Sequence, residues 1–95
     1  MKMNNDVINA HDHSINNKTE LLESKMCGCF HCLAVFPPEK IERWLKDKQG
    51  TGLCPYCGTD SLIADKSGYP VTTEFLKEMQ KKWFSYKVLG DENEQ

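Results

Sequence analysis

The stretch Cys27-Gly28-Cys29-Phe30-His31-Cys32, answered further along by Cys54-Pro55-Tyr56-Cys57-Gly58, decides how this chain is read. Its two C-x-x-C pairs stand in the spacing C-x2-C-x21-C-x2-C. A two-residue spacer in a tight turn aims both sulfurs at one point, and the N–H groups of the turn can face those sulfurs. Four thiolates in a tetrahedron suit a structural zinc ion. Gly58, directly after Cys57, offers the unrestricted φ that such a turn favours. The 21 residues between the pairs are enough for the chain to leave and return. The expectation is one structural Zn²⁺ held by Cys29, Cys32, Cys54 and Cys57, with no open coordination position.

The rest of the composition agrees. A chain of 95 residues makes one domain whose core is marginal, so a staple is expected. Its five cysteines leave one over in any full disulfide scheme. The opening Met1-Lys2-Met3-Asn4-Asn5-Asp6 lacks the apolar run of a secretory signal. Nothing approaches the ~18 apolar residues of a membrane span. Together these predict a cytoplasmic protein, in a reducing compartment where paired cysteines hold metal more often than disulfides. The net charge of −2 and pI near 5.9 lack the basic excess of a dedicated nucleic-acid binder.

Outward from the cysteines, residues 1–15 read as a flexible N-terminal arm, 16–88 as a single zinc-ribbon domain with flanking helices, and 89–95 as an acidic tail. Asn17 followed by Glu20 predicts a short helix over Thr19–Lys25. Leu33–Phe36 reads as a strand ended by Pro37-Pro38. Pro38 and Glu39 then open a short intervening helix, with Ile41, Trp44 and Leu45 on its buried face and Gly50 as its stop. Ser61–Ala64 reads as a strand and Asp65–Gly68 as a turn. Thr72 or Thr73 caps an amphipathic helix running to about Lys87, with Phe75, Leu76, Met79, Trp83 and Tyr86 on one face and Glu78 paired to Lys82. The expected fold class is small α+β, a pair of metal-binding knuckles with a short intervening helix and a C-terminal amphipathic helix.

Rival readings attach to several residues. Cys54-Pro55-Tyr56-Cys57 also spells the dithiol motif of glutaredoxins, but a strand-like run follows it and only 38 residues remain after Cys57. Cys27 is an alternative ligand to Cys29, although the C-x-x-C spacing favours Cys29 and leaves Cys27 a spare thiol. His31 is a further candidate ligand, in a middle position that normally points away from the ion. His11 and His13 flank Asp12 on a polar stretch and read as solvated. Trp44 and Trp83 read as core, whereas Phe30 and Tyr56 occupy knuckle positions that are often exposed and are contact candidates.

The run Cys27–Cys32, then Trp44, then Cys54-Pro55-Tyr56-Cys57-Gly58-Thr59-Asp60-Ser61, Ser67-Gly68-Tyr69-Pro70, Phe75-Leu76 and Trp83-Phe84 resembles a family of small bacterial proteins described only as cytoplasmic or zinc-ribbon proteins. The resemblance covers roughly residues 16–85. It implies a ribbon-type or rubredoxin-like zinc fold and a bacterial cytoplasmic setting, and it implies no activity. Leu33 departs from the common pattern, standing where Gly often follows the second cysteine, so the first turn is expected to differ from the second.

A closed tetrathiolate has no site for activating water. No Ser-His-Asp set, carboxylate pair or phosphate loop stands elsewhere in the chain. The expectation is therefore no enzyme, but a non-catalytic structural zinc module acting as a protein-interaction or adaptor protein. The alternative is a nucleic-acid-binding zinc ribbon, using Lys40, Arg43, Lys46 and Lys48 with Lys77, Lys81, Lys82 and Lys87. Glu39, Glu42, Asp47, Glu74 and Glu78 interleave with these cations.

Overall fold

The computed structural model describes the backbone of residues 2–92 and the side chains of residues 5–84. Its organising element is the three-residue strand β1 (Cys27–Cys29), which pairs antiparallel with β2 (Val35–Phe36) on one side and β5 (Leu62–Ala64) on the other. Cys27 lies opposite Phe36 and Ala64, Gly28 opposite Val35 and Ile63, and Cys29 opposite Leu62. The two-residue period of a strand sends Cys27 and Cys29 to one face and Gly28 to the other. Each face buries its own core. The cysteine face joins Leu62, Ala64 and Phe36 to Leu21, Ile41 and Cys54. The glycine face joins Ile63 to Phe30, Val7, Ala10, Phe75, Leu76 and Met79.

Helix α3 (Thr73–Glu92) lies directly on that glycine face. A Cβ at Gly28 would stand 2.7 Å from Leu76 Cδ1 and 2.9 Å from Val71 Cγ1, so the helix approaches the strand backbone as closely as a missing side chain allows. The Thr72 hydroxyl accepts the Phe75 N–H at 3.2 Å and caps the helix start. Phe75, Leu76 and Met79 are buried and Trp83 half-buried, on the face expected from their spacing. The Tyr86 side chain lies outside those described. The expected Glu78–Lys82 pair is absent among the described contacts: Glu78 lies 4.0 Å from Lys81, and Lys82 Nζ sits 5.8 Å from the Trp83 ring centroid. The helix also continues to Glu92, so positions 89–92 of the expected acidic tail are helical, while 93–95 lie outside the described residues.

Three expectations need correction. Residues 2–14 are no loose arm: α1 (Lys2–Ala10) runs into a 3-10 turn (His11–Ser14), and Val7, Ala10 and Ser14 are buried. The Trp83 indole N–H donates to Val7 O at 3.3 Å, and the His11 ring packs on Trp83 with centroids 4.0 Å apart. The docking face consists of few and mostly small residues, which leaves a weak apolar pattern in the sequence.

The second correction concerns Asn17. It precedes α2 (Lys18–Leu22) but makes no side-chain cap. Its buried amide instead donates to His13 O and Leu62 O, each at 3.0 Å, and accepts the Gly52 N–H at 3.1 Å. One side chain with both donor and acceptor atoms thus ties the N-terminal segment to the sheet and to the hairpin described next.

Third, the intervening helix is absent. Pro38–Lys40 makes one 3-10 turn, and an antiparallel hairpin of β3 (Trp44–Leu45) and β4 (Thr51–Gly52) follows. Asp47 closes the hairpin by accepting the Gly50 N–H at 2.9 Å and the Thr51 hydroxyl. Trp44 is half-buried and Leu45 exposed, as opposite faces of a strand require. Three apolar residues at positions 41, 44 and 45 fit a helix turn or this strand equally well, and the local turn chemistry decides.

Candidate metal centre

The two C-x-x-C turns are built alike. In the first, Leu33 N–H donates to Cys29 O at 2.8 Å, and Cys29 N–H donates to Ala34 O at 2.9 Å. In the second, Gly58 N–H donates to Cys54 O and Cys54 N–H to Thr59 O, each at 2.9 Å. The N–H groups of His31 and Cys32 reach Cys29 Sγ at 3.3 and 3.4 Å, and that of Tyr56 reaches Cys54 Sγ at 3.4 Å. Both turns close on a left-handed residue, Leu33 at φ +70° and Gly58 at φ +81°. The expectation of a different first turn is thus corrected. The backbone is the same, and Leu33 adopts a conformation that costs a non-glycine residue about 1–2 kcal/mol. Its half-buried side chain packs against the core under α3, and the flanking hydrogen bonds fix it there.

β1 delivers the first turn and the β3–β4 hairpin delivers the second, so the two face each other. Cys29 Sγ lies 3.6 Å from Cys57 Sγ, and Cys32 Sγ lies 3.7 Å from Cys54 Sγ. All four sulfurs fall within 4.8 Å of one another, the one grouping of metal-ligating side chains among the described residues. A tetrahedron with metal–sulfur bonds of ~2.3 Å has edges of about 3.8 Å, so separations of 3.6 and 3.7 Å fit a single ion.

Residues that the cysteine spacing did not reveal surround the sulfurs. The buried Ser61 hydroxyl lies 3.0 Å from Cys29 Sγ, and the Thr59 hydroxyl lies 3.1 Å from Cys57 Sγ. These two hydroxyls also bond to each other. The alternation Thr59-Asp60-Ser61 after the second turn is the signal in the sequence, since a period of two puts both hydroxyls on one side. His31 stands outside the sulfur cluster: its ring meets Phe84 edge-on at 4.7 Å, and its carbonyl accepts the Gln80 side-chain N–H at 2.8 Å. Among the described residues its buried Nδ1 has no hydrogen-bond partner.

Without metal the thiols titrate apart. Loss of hydration pushes Cys32 up to about 12, with neighbouring Cys29 and Cys54 adding to it and the Ala34 backbone opposing it. Desolvation likewise raises Cys54. At Cys57 the same desolvation is outweighed by hydrogen bonding from the Thr59 side chain and backbone and from Cys29, which brings it down to about 6. Metal binding at neutral pH therefore displaces protons, those of Cys32 and Cys54 among them.

Cys27 shares a strand with Cys29 but not its surroundings. It is fully buried, and its thiol donates to Phe36 O at 3.3 Å. Burial first, then the neighbouring Cys54, Asp65 and Cys29, push it up to about 12. Of the two aromatic contact candidates, Tyr56 is 62% exposed at the tip of the second turn, whereas Phe30 is 2% exposed and belongs to the core. His13 pairs with Glu20 at 3.1 Å. No helix among the described residues is long and apolar enough to cross a membrane.

Compared with protein-family models, with curated proteins and with solved structures, the chain matches none of them.

Proposed function

We propose that this protein is a non-catalytic zinc module: one Zn²⁺ on Cys29, Cys32, Cys54 and Cys57 staples a small fold that presents a surface to a protein partner. The observation that carries the metal reading is the approach of two alike C-x-x-C turns to sulfur separations of 3.6 and 3.7 Å. Four sulfur donors favour zinc over harder cations, and a site closed by four protein ligands is structural rather than catalytic. Zinc in units of this size supplies about 10–16 kcal/mol of apparent binding energy, against a domain stability of roughly 5–15 kcal/mol. The small fold is then largely the work of its metal. The family resemblance supports a bacterial cytoplasmic setting, and five free cysteines suit a reducing compartment.

A protein partner is favoured by apolar side chains left at the surface, Tyr56 at 62% and Leu22 at 60% exposure. The cations lie among acids, as where Glu78 meets Lys81 at 4.0 Å, which weakens any phosphate-binding face. Titration with labelled single- and double-stranded oligonucleotides at two salt concentrations tests this. The expected result is binding on the order of 10⁻⁴ M or poorer at physiological salt. Micromolar binding that weakens on charge reversal at Lys77, Lys81 and Lys82 would put the nucleic-acid reading first.

A further inference from the structure

The four cysteines differ in their burial. Cys29 and Cys54 are buried, Cys57 is half-buried and Cys32 is exposed. Hydrogen bonding is just as uneven. Cys29 receives two backbone N–H groups, and the Thr59 and Ser61 hydroxyls, bonded to each other, share their two protons among that bond, Cys29 and Cys57. Among the described residues no hydroxyl reaches Cys32, which has only the Ala34 backbone as a donor and whose sulfur faces Cys54 Sγ at 3.7 Å. Burial restricts access to a thiolate, and donated hydrogen bonds draw off its electron density; both slow its attack on soft electrophiles.

We propose that the metal-loaded site has one reactive corner, Cys32, where hydroperoxides oxidise the protein and open the staple. This rests on the metal reading given under Proposed function. In the loaded protein all four sulfurs are thiolates, so access and hydrogen bonding select among them. The Cys32 thiolate attacks one oxygen of hydrogen peroxide: the S–O bond forms, the O–O bond breaks and hydroxide leaves. Sulfur is thereby oxidised by two electrons and peroxide is reduced. The Cys54 thiolate then attacks the Cys32 sulfur, the S–S bond forms and a second hydroxide leaves. Two thiolates and one peroxide thus give one disulfide and two hydroxide ions. The 3.7 Å gap has to close to ~2.05 Å, and the new bond ties the first turn to the second while withdrawing two of the four ligands. A thiol reductant reverses the change. Ser61 and Thr59 guard the other side of the site, so damage starts where repair can reach it.

The test is limited alkylation of the metal-loaded protein with N-ethylmaleimide at pH 7. Peptide mass spectrometry locates the first label, and metal is measured on the same sample. Cys32 is expected to take the first label, at least about tenfold ahead of Cys29 and Cys54, with Cys57 between them. Hydrogen peroxide in place of the maleimide should give a Cys32–Cys54 disulfide and release metal in step with it. In a Thr59→Val, Ser61→Ala double variant the labelling of Cys29 and Cys57 should rise while Cys32 is unchanged; should that variant fail to fold, the wild-type map decides alone. First labelling at Cys57, an even spread, or a disulfide between Cys29 and Cys32 overturns the inference and leaves the metal reading standing. Protein that purifies without metal overturns that reading, and this one with it.

Discussion

The first and second cysteine turns share a backbone but not a sequence, and the difference shows what holds each in place. The second turn uses the residue its geometry favours, Gly58, in open surroundings where, among the described residues, an added Cβ would meet only Arg43 Nη2 at 3.5 Å. The first turn puts Leu33 in the same left-handed conformation and gains a side chain that packs under α3. Its position is enforced from outside: β1 is held between two strands, and Gln80 of α3 grips the His31 carbonyl. The second turn hangs from a hairpin of two residues per strand and depends on local chemistry. One metal-binding geometry is thus reached by tertiary packing on one side and by residue choice on the other.

The largest expected effect tests whether the two turns are equal partners in the metal. Cys29→Ser and Cys54→Ser should each abolish tight metal binding and leave a chain that no longer unfolds cooperatively, given about 10–16 kcal/mol of linked binding energy. Cys27→Ser, two residues from a ligand but bonded to Phe36 O, should keep its metal and lose little stability. Metal content and circular-dichroism melts read all three. Loss of metal on Cys27→Ser would break the ligand assignment.

Next comes the packing that supports the first turn. Phe75→Ala should destabilise the loaded protein by about 3–5 kcal/mol in urea unfolding, since its ring is buried against the sheet. Trp83→Ala should cost less, because that ring is only half-buried. An unchanged midpoint for Phe75→Ala would mean that α3 contributes nothing to holding the turn.

Hydroxyl cover is a smaller matter. Ser61→Ala should weaken metal affinity roughly 10–100-fold in competition with a chromophoric chelator, with Ser61→Thr recovering most of it. Acid should release metal for a related reason. Cys32 and Cys54, raised when metal-free, take up protons as soon as the metal leaves, so affinity falls as pH falls; Cys57, lowered to about 6, joins them only below that pH. Affinity measured between pH 8 and pH 5 should therefore fall more steeply at the acidic end.

The smallest effect compares the two closing residues directly. Gly58→Ala should cost about 1–2 kcal/mol, all of it backbone, because the added methyl meets no obstacle. Leu33→Gly should change stability by less than about 1 kcal/mol, since relieved strain and lost apolar packing are of similar size. Equal costs at the two positions would show that Leu33 is not strained.

How much of this was legible in the sequence follows the same division. The cysteine spacing, the apolar face of α3 and the strand around Ile63 could be read because each carries its own local pattern. The cap at Thr72 was legible too. The hairpin at Trp44–Gly52 reads as helix in the sequence because three apolar residues cannot distinguish the two periods, and Asp47 acts through a turn contact that no spacing announces. The N-terminal helix reads as a loose arm because its buried face, among the described residues, is Val7, Ala10 and Ser14, and its anchor, Asn17, looks like an ordinary cap. Tertiary contacts decided these cases, as they did for the φ of Leu33 and the burial of Phe30.

The central claim is that the two turns hold one metal ion with sulfur alone. X-ray absorption at the metal edge, with metal analysis of the protein purified from a cytosolic extract, tests it most directly. The account predicts one zinc per chain with four sulfur neighbours at ~2.3 Å and no light-atom ligand. A nitrogen or oxygen neighbour in the first coordination sphere, or a folded chain that carries no metal, would contradict it.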